Sequence, residues 1–176
     1  MISNFRSVLE LALRRTPGVD LLSWDQSQES WLRVPVVGER TRFLRVAPDA
    51  RFSLRQAGQV RHFFLEMDGS TEEHARLLLK FQGYWWYLQS PAYLQAHAIP
   101  RRVNVLFVTT GQQRMLNMMK TLRELRKPNR ADHGGKDLFW FCVEGDYDLG
   151  RPNPLLRPIW RASTLSGAQG SFLTPD

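Results

Sequence analysis

Cysteine and lysine are scarce in this chain. Its 176 residues include one cysteine, Cys142, and four lysines among 24 basic residues. A lone cysteine excludes a disulfide framework, and without spaced Cys and His pairs the sequence offers no set of zinc ligands. The sequence also contains no apolar run of membrane length and no signal-peptide pattern at its start. These absences predict a soluble cytoplasmic protein that contacts no membrane.

Arginine supplies most of the positive charge. Lys and Arg number 24 against 17 Asp and Glu, which gives a formal net charge of +7 and a pI near 10.2. Because the guanidinium fork matches phosphate oxygens, an arginine-rich surface favours a nucleic-acid partner. The alternative is a basic but inert surface, since net charge governs solubility and association rather than the fold.

Length and composition favour a single core. A chain of 176 residues with 43% hydrophobic content can bury one substantial core, and a second full domain is not expected. After Gly150, closely spaced prolines and then Gly and Ser residues replace the apolar patterns. We therefore expect one domain over residues 1–150 and an irregular C-terminal tail over residues 151–176.

The hydrophobic periodicity predicts alternating helices and strands. The run from Arg61 to Met67 is apolar on both faces at its centre, which is typical of a central strand covered by helices on both sides. Ser70 and Glu73 match a capping box at the start of the longest helix. We expect helices over 4–15, 71–89 and 111–127, and strands near 19–24, 31–37, 51–55, 61–67, 103–109 and 137–143. This order predicts an α/β fold with a mixed central sheet flanked by helices.

Two acidic signatures, Pro48-Asp49 and Glu66-Met67-Asp68, occur where apolar strand patterns meet polar residues. Side chains alternate along a strand, so Glu66 and Asp68 should point to the same face. If the two strands pair as a hairpin, Asp49 approaches that face as well. Clustered carboxylates repel one another unless a cation neutralises them, and hard oxygen ligands favour Mg²⁺ or Mn²⁺.

Each of these acids also has a structural interpretation. Asp49 follows a proline, as turn residues often do, and Asp68 begins an ordinary Asp-Gly turn. Glu66 could pair with a nearby arginine such as Arg51 or Arg61. Taken together in a basic protein, the three acids predict a metal site suited to phosphodiester hydrolysis.

The acidic signatures, placed between an N-terminal helix and a long following helix, resemble the PD-(D/E)xK nuclease superfamily. Residues 46–115 are more narrowly similar to the replication-relaxation family of plasmids and other mobile elements. The similarity lies in 63–72, Leu79-Lys80-Phe81, Tyr84, 103–109 and Arg114. It implies a restriction-endonuclease-like core, ordered helix, three strands, helix, strand, and a role for the protein in replication or transfer of mobile DNA.

The resemblance also implies a basic residue in the catalytic site. The superfamily pattern has a lysine where this chain has Asp68, and Lys80 in the following helix is the candidate replacement. Lys80 lies nine residues beyond Thr71, about 13 Å along a helix axis, so it can serve only if that helix crosses back over the sheet edge. Glu10 resembles the accessory acid of some such nucleases, although an ordinary exposed helix glutamate is the simpler interpretation. The candidate catalytic residues are Asp49, Glu66, Asp68 and Lys80.

Basic and aromatic residues in two helices are candidates for nucleic-acid contact. Tyr84 to Tyr87 are four consecutive aromatics that could stack on unpaired bases, but because they point in several directions, at least half should belong to the core. Met115, Met118 and Met119 are expected to be packing residues. The predicted phosphate contacts are Arg114, Lys120, Arg123, Arg126, Lys127 and Arg130.

Three functions of different classes follow from these patterns. The first is a DNA-binding or DNA-processing protein of mobile elements with divalent-metal-dependent nuclease activity. The second is a non-catalytic nucleic-acid-binding accessory module, which agrees with Asp68 in place of the expected lysine. The third is a protein-interaction domain that uses its Trp, Tyr and Met surfaces for a protein partner or a homo-oligomer.

Overall fold

The computed structural model describes residues 1–26, 32–35, 43–69, 72–89, 103–123, 138–162 and 169–170. The helices are α1 Ile2–Arg14, α2 His74–Gln89 and α3 Gln112–Arg123, with short 3-10 helices at Glu144–Asp146 and Asn153–Leu156. The strands are β1 Val19–Asp25, β2 Leu32–Pro35, β3 Phe43–Val46, β4 Ala50–Gln56, β5 Gln59–Asp68, β6 Val103–Thr109, β7 Phe139–Val143, β8 Trp160–Ala162 and β9 Gln169–Gly170. The predictions for Ser70, Arg126, Lys127 and Arg130 lie outside the described residues.

Seven strands form one mixed sheet in the order β1-β4-β5-β6-β7-β8-β9, and β2 and β3 form a separate antiparallel pair. β5 and β6 are parallel, as are β6 and β7, and the remaining neighbours are antiparallel. Parallel neighbours need crossover connections, which contain α2 and α3. The predicted mixed sheet flanked by helices is confirmed, with β5 in its interior.

The expected order of helix, three strands, helix and strand occurs as α1, β1, β4, β5, α2 and β6. The pair β2 and β3 is inserted between the first two of these strands. Assignment to the PD-(D/E)xK superfamily stays a prediction. In the parts of the chain that the structure describes, no helix is both long and apolar enough to cross a membrane.

The sheet separates two apolar clusters. Along β5, Phe63 and Leu65 belong to one cluster and Phe64 to the other, because neighbouring side chains point to opposite faces. The first cluster includes Phe5, Val8, Leu9 and Ala12 of α1 together with Phe52, Tyr147 and Trp160. The second cluster includes Leu77, Phe81 and Tyr84 of α2, Met115, Met118 and Met119 of α3, and Phe107 and Phe141. Helices therefore cover both faces.

A tight turn joins β4 to β5 and fixes their register. Ala57 and Gly58 adopt φ values of 49° and 77°, as two-residue hairpin turns require. Ala50 consequently lies opposite Leu65 at the far end of the pair. The predicted hairpin is confirmed, and it places Asp49 next to the end of β5.

The C-terminal segment differs from the prediction. Residues 151–162 are not an irregular tail, because Leu155 and Trp160 are fully buried in the first cluster and β8 pairs with β7. The Trp160 indole Nε1 donates a hydrogen bond to the Leu155 carbonyl at 3.0 Å. The prolines that suggested irregular structure lie in and around the short helix at Asn153–Leu156. The folded unit therefore extends beyond residue 150, and the predicted boundary is wrong.

Candidate functional site

The end of β5 carries two buried acids on one face of the sheet. Glu66 and Asp68 are only 3% and 8% exposed, and both meet side chains from the helices that cover the second cluster. Met67 packs against the first cluster on the opposite face. The predicted alternation is confirmed, and burial makes the partners of these two acids energetically important.

Glu66 is bound by two side chains of α2. The Lys80 ammonium lies 2.9 Å from Glu66 Oε2, and the Tyr84 hydroxyl donates to Oε1 at 2.5 Å. Lys80 and Tyr84 are four residues apart, so they occupy the same side of the helix. The long helix therefore does cross back over the sheet, as the proposed role of Lys80 required.

Burial and neighbouring charges shift the pKa values of Glu66, Lys80 and Tyr84. Burial raises the pKa of Glu66 to about 7, even though the Lys80 charge and the Tyr84 hydrogen bond lower it. For Lys80, burial lowers the pKa, but the charges of Glu66 and Glu72 outweigh it and leave the pKa raised. Burial and the neighbouring Glu66 raise the pKa of Tyr84 well above its usual value. Glu66 is thus the member of this group that changes charge near neutral pH.

Asp68 is bound by a side chain of α3. Arg114 Nε lies 2.8 Å from Asp68 Oδ2, and Nη2 lies 2.9 Å from Oδ1, so the pair is bidentate. The Asp68 side chain is 4% exposed and that of Arg114 is 22% exposed. The hydrogen bond to Asp68 raises the pKa of Arg114. Arg114 is directed towards Asp68, where the sequence had suggested a phosphate contact.

Glu72 joins the two halves of the site. Its carboxylate Oε2 lies 3.1 Å from Lys80 Nζ, and its backbone carbonyl accepts a hydrogen bond from Arg114 at 3.0 Å. We call Glu66, Asp68, Glu72, Lys80, Tyr84 and Arg114 the carboxylate–cation network. Sequence analysis missed the roles of Glu72 and Tyr84. The four-residue spacing of Lys80 and Tyr84 on a predicted helix was the signal that could have identified Tyr84.

Asp49 lies beside this network, immediately before β4. Its Oδ2 accepts a hydrogen bond from the Met67 backbone N–H at 2.7 Å, and its own N–H donates to the Leu65 carbonyl at 2.9 Å. The charge of Asp49 also raises the pKa of Glu66. Asp49 therefore both continues the pairing of β4 with β5 and influences the buried acid.

The arrangement differs from the predicted three-carboxylate metal site. All four carboxylate oxygens of Glu66 and Asp68 accept hydrogen bonds from protein donors, as does Oδ2 of Asp49. Within the described ranges, no group of three or more His, Cys, Asp or Glu residues is placed to hold a metal ion. Lys80 and Arg114 supply the neutralising charge that Mg²⁺ or Mn²⁺ was expected to supply. As arranged, these residues do not fit such an ion, and its binding stays a prediction.

The other predicted residues occupy clear positions. Lys120 and Arg123 are exposed in the last turn of α3. Tyr84 and Tyr87 are buried, so half of the aromatic run belongs to the core as expected. The three methionines of α3 are buried in the second cluster, which confirms their packing role.

Glu10 forms an exposed ion pair with Arg6 one turn away on α1, at 2.9 Å. The first cluster packs that helix on the face of the sheet opposite Glu66. The simpler interpretation of Glu10, an ordinary surface glutamate, agrees with this position.

Comparison with known proteins identifies the family. The replication-relaxation family profile matches residues 1–103, which is more than half of the chain, so the chain belongs to this family. The match begins earlier than the expected 46–115 and includes α1, β1–β5 and α2. A crystal structure of an fdxN element excision controlling factor protein from Anabaena variabilis is similar at 16% sequence identity and a TM-score of 0.36. That similarity covers 84% of this chain and 92% of that chain, and no curated protein matches.

Proposed function

We propose that this protein binds DNA as an accessory factor in the replication or relaxation of mobile DNA, without cleaving the DNA backbone. The observation that carries this proposal is the carboxylate–cation network, in which Lys80 and Arg114 already bind the buried acids. Because Lys80 and Arg114 already neutralise the buried acids, the fold can bind DNA without using those acids to hold a metal ion. Membership of the replication-relaxation family supports a role on DNA.

The charge of the chain supports DNA as the partner. The formal net charge is +7, and Lys120 and Arg123 are exposed at one end of α3. Double-stranded DNA carries about one negative charge per 1.7 Å of its axis, and basic side chains bind it by releasing counterions. Binding should therefore be strong at low ionic strength and weaken steeply as salt is added.

A binding and cleavage assay tests this proposal. Fluorescence anisotropy with labelled duplexes should detect salt-dependent binding, and supercoiled plasmid should stay uncut with Mg²⁺ or Mn²⁺. Asp49→Ala and Glu66→Gln should bind DNA as the wild type does. Metal-dependent cleavage that both substitutions abolish would overturn the proposal, and so would the absence of DNA binding at low salt.

A second candidate is a divalent-metal-dependent nuclease that uses Asp49, Glu66 and Lys80. The observation that favours it is the contact of Lys80 with Glu66, because this places a basic residue of the following helix beside the acid. Asp68 would not belong to such a site, since Arg114 binds both of its oxygens, and Glu66 would have to exchange its contact with Lys80 or Tyr84 for the ion. In the plasmid assay, Lys80→Met should abolish cleavage under this candidate, whereas the surface variant Arg14→Met, on α1, should leave it intact.

A further inference from the structure

Helix α3 packs one face against the second cluster and exposes another face. Met115, Met118, Met119 and Leu122 are buried in the second cluster. Gln113, Leu116, Asn117, Lys120 and Arg123 are exposed, and we call these five residues the α3 stripe. Their spacings of three, one, three and three residues place them along one side of the helix. This side is distinct from the face that binds the sheet.

Two polar contacts fix α3 in place beside its apolar face. Arg114 forms the bidentate ion pair with Asp68 at the end of β5. Thr121 Oγ1 lies 3.1 Å from Nδ1 of His74 at the start of α2. A helix anchored on these sides presents its remaining side with little freedom, which is what precise recognition of a surface requires.

The chemistry of the α3 stripe matches the edges of base pairs. Asn and Gln amides can pair with adenine in the major groove, and an apolar side chain can contact the thymine methyl group. Gln113 Nε2 donates to Asn117 Oδ1 at 3.1 Å, a bond that holds the two amides side by side without using the Gln113 oxygen or the Asn117 amino group. Leu116 lies between them in sequence and is 43% exposed. An exposed leucine flanked by two amides is suited to an A·T-containing sequence.

The charge of α3 suits the same partner. The helix contains Arg114, Lys120 and Arg123 and has no acidic residue. Lys120 and Arg123 follow Asn117 by three and six residues, so they can reach phosphates while the two amides reach bases. A helix is about 10–12 Å across with its side chains, and the major groove of B-form DNA is about 12 Å wide. The major groove of double-stranded RNA is too deep and narrow to admit side chains in this way.

We propose that α3 enters the major groove of duplex DNA, where Gln113, Leu116 and Asn117 read the base sequence and Lys120 and Arg123 contact flanking phosphates. This inference rests on the proposed DNA binding and adds sequence recognition to it. It also distinguishes two kinds of residue within one helix, because phosphate contacts set overall affinity and base contacts set preference.

The test begins with selection of a preferred duplex from a randomised pool by the wild-type protein. Anisotropy then gives Kd for the selected duplex and a scrambled duplex. Gln113→Ala and Asn117→Ala should each reduce the preference for the selected duplex by about tenfold, within a range of roughly 5- to 150-fold, and leave scrambled binding unchanged. Gln112→Ala is the matched control, because it removes the same exposed amide one residue outside the stripe. It should change neither value.

Substitution of the cationic residues gives the complementary result. Lys120→Ala should weaken binding to both duplexes equally and reduce the slope of log affinity against log salt by about one. Arg14→Ala, at an exposed position in the last turn of α1 on the other side of the sheet, is the control for loss of a helix-terminal cation. It should leave affinity and slope unchanged.

The outcomes separate this inference from the proposed function. Binding without any sequence preference, or preference that survives both amide substitutions, would sink the inference and leave DNA binding intact. Equal or tighter binding to double-stranded RNA would also contradict it. Failure to bind any duplex at low salt would overturn the proposed function as well. Because the substituted residues are exposed, unchanged circular dichroism of each variant should confirm that the fold is retained.

Discussion

The two faces of the sheet differ in where their ion pairs lie. Under α1, the first cluster is apolar, and the Arg6–Glu10 pair of that helix lies at the surface. Under α2 and α3, Glu66 and Asp68 are buried and bound by cations. Exposed pairs contribute about 0–1 kcal/mol, whereas breaking a buried pair costs about 3–5 kcal/mol because one charge is left without its partner. Stability of the second face therefore depends on specific electrostatic contacts that the first face does not need.

Substitution of Arg114 should give the largest loss of stability on the second face. We expect Arg114→Leu to lower the free energy of unfolding by about 3–5 kcal/mol, since Asp68 would stay buried without its partner. Arg6→Leu on α1 should cost less than about 1 kcal/mol, because the Glu10 that it leaves behind is exposed. Urea unfolding monitored by tryptophan fluorescence gives both values.

A double variant sharpens the same experiment. Arg114→Leu combined with Asp68→Leu removes both charges and should recover much of the lost stability. Equal costs for Arg114→Leu and Arg6→Leu would refute the contrast between the two faces.

The next largest effect concerns pH. The folded pKa of Glu66 is about 7, above its usual 4.5, so the folded protein binds the extra proton between these values. The resulting stabilisation is fully present below about pH 4.5 and is lost as pH rises through about 7, with a total of up to about 3 kcal/mol. Glu66→Gln should remove this component when the unfolding free energies of variant and wild type are compared across the range.

Glu10→Gln provides the control for that comparison, since it makes the same chemical change at an exposed position on α1. Loss of this exposed pair should change the unfolding free energy by less than about 1 kcal/mol. Parallel curves for Glu66→Gln and wild type would show that burial of Glu66 does not alter its protonation.

A smaller effect is expected from Lys80→Met, because Glu66 can take up a proton when its cationic partner is lost. The substitution should raise the pKa of Glu66 further, so its cost should be about 1–3 kcal/mol at about pH 8 and clearly less at about pH 5.5. Lys120→Met, at an exposed position, should stay within about 0.5 kcal/mol at either pH. A cost for Lys80→Met that does not depend on pH would contradict this account, and chemical denaturation at the two pH values measures it.

Local patterns predicted the three α-helices and six of the nine described strands, but not the partners of the charges. The common face of Glu66 and Asp68 followed from the two-residue period of a strand, which needs no knowledge of the rest of the fold. Asp68 and Arg114, in contrast, are separated by 46 residues, and their contact depends on how β6 and α3 return to β5. Sequence alone consequently identified the acids and assigned their neutralisation to a metal ion.

The C-terminal segment illustrates a different limit. Its prolines and its Gly and Ser residues predicted an irregular tail, and this composition concealed the few apolar residues that anchor the segment. The burial of Leu155 and Trp160 depends on the space left by α1 and on the edge of β7, neither of which is encoded nearby. Composition therefore placed the end of the folded unit too early.

That late anchor has a practical consequence for shortening the protein. A fragment that stops at residue 150 would lack Trp160, leave a hole in the first cluster, and uncover the backbone groups of β7 that β8 now covers. Uncovered strand edges recruit other chains, so such a fragment would tend to self-associate. A shortened protein that avoids this self-association should extend past Gly170, because β9 in turn pairs with β8.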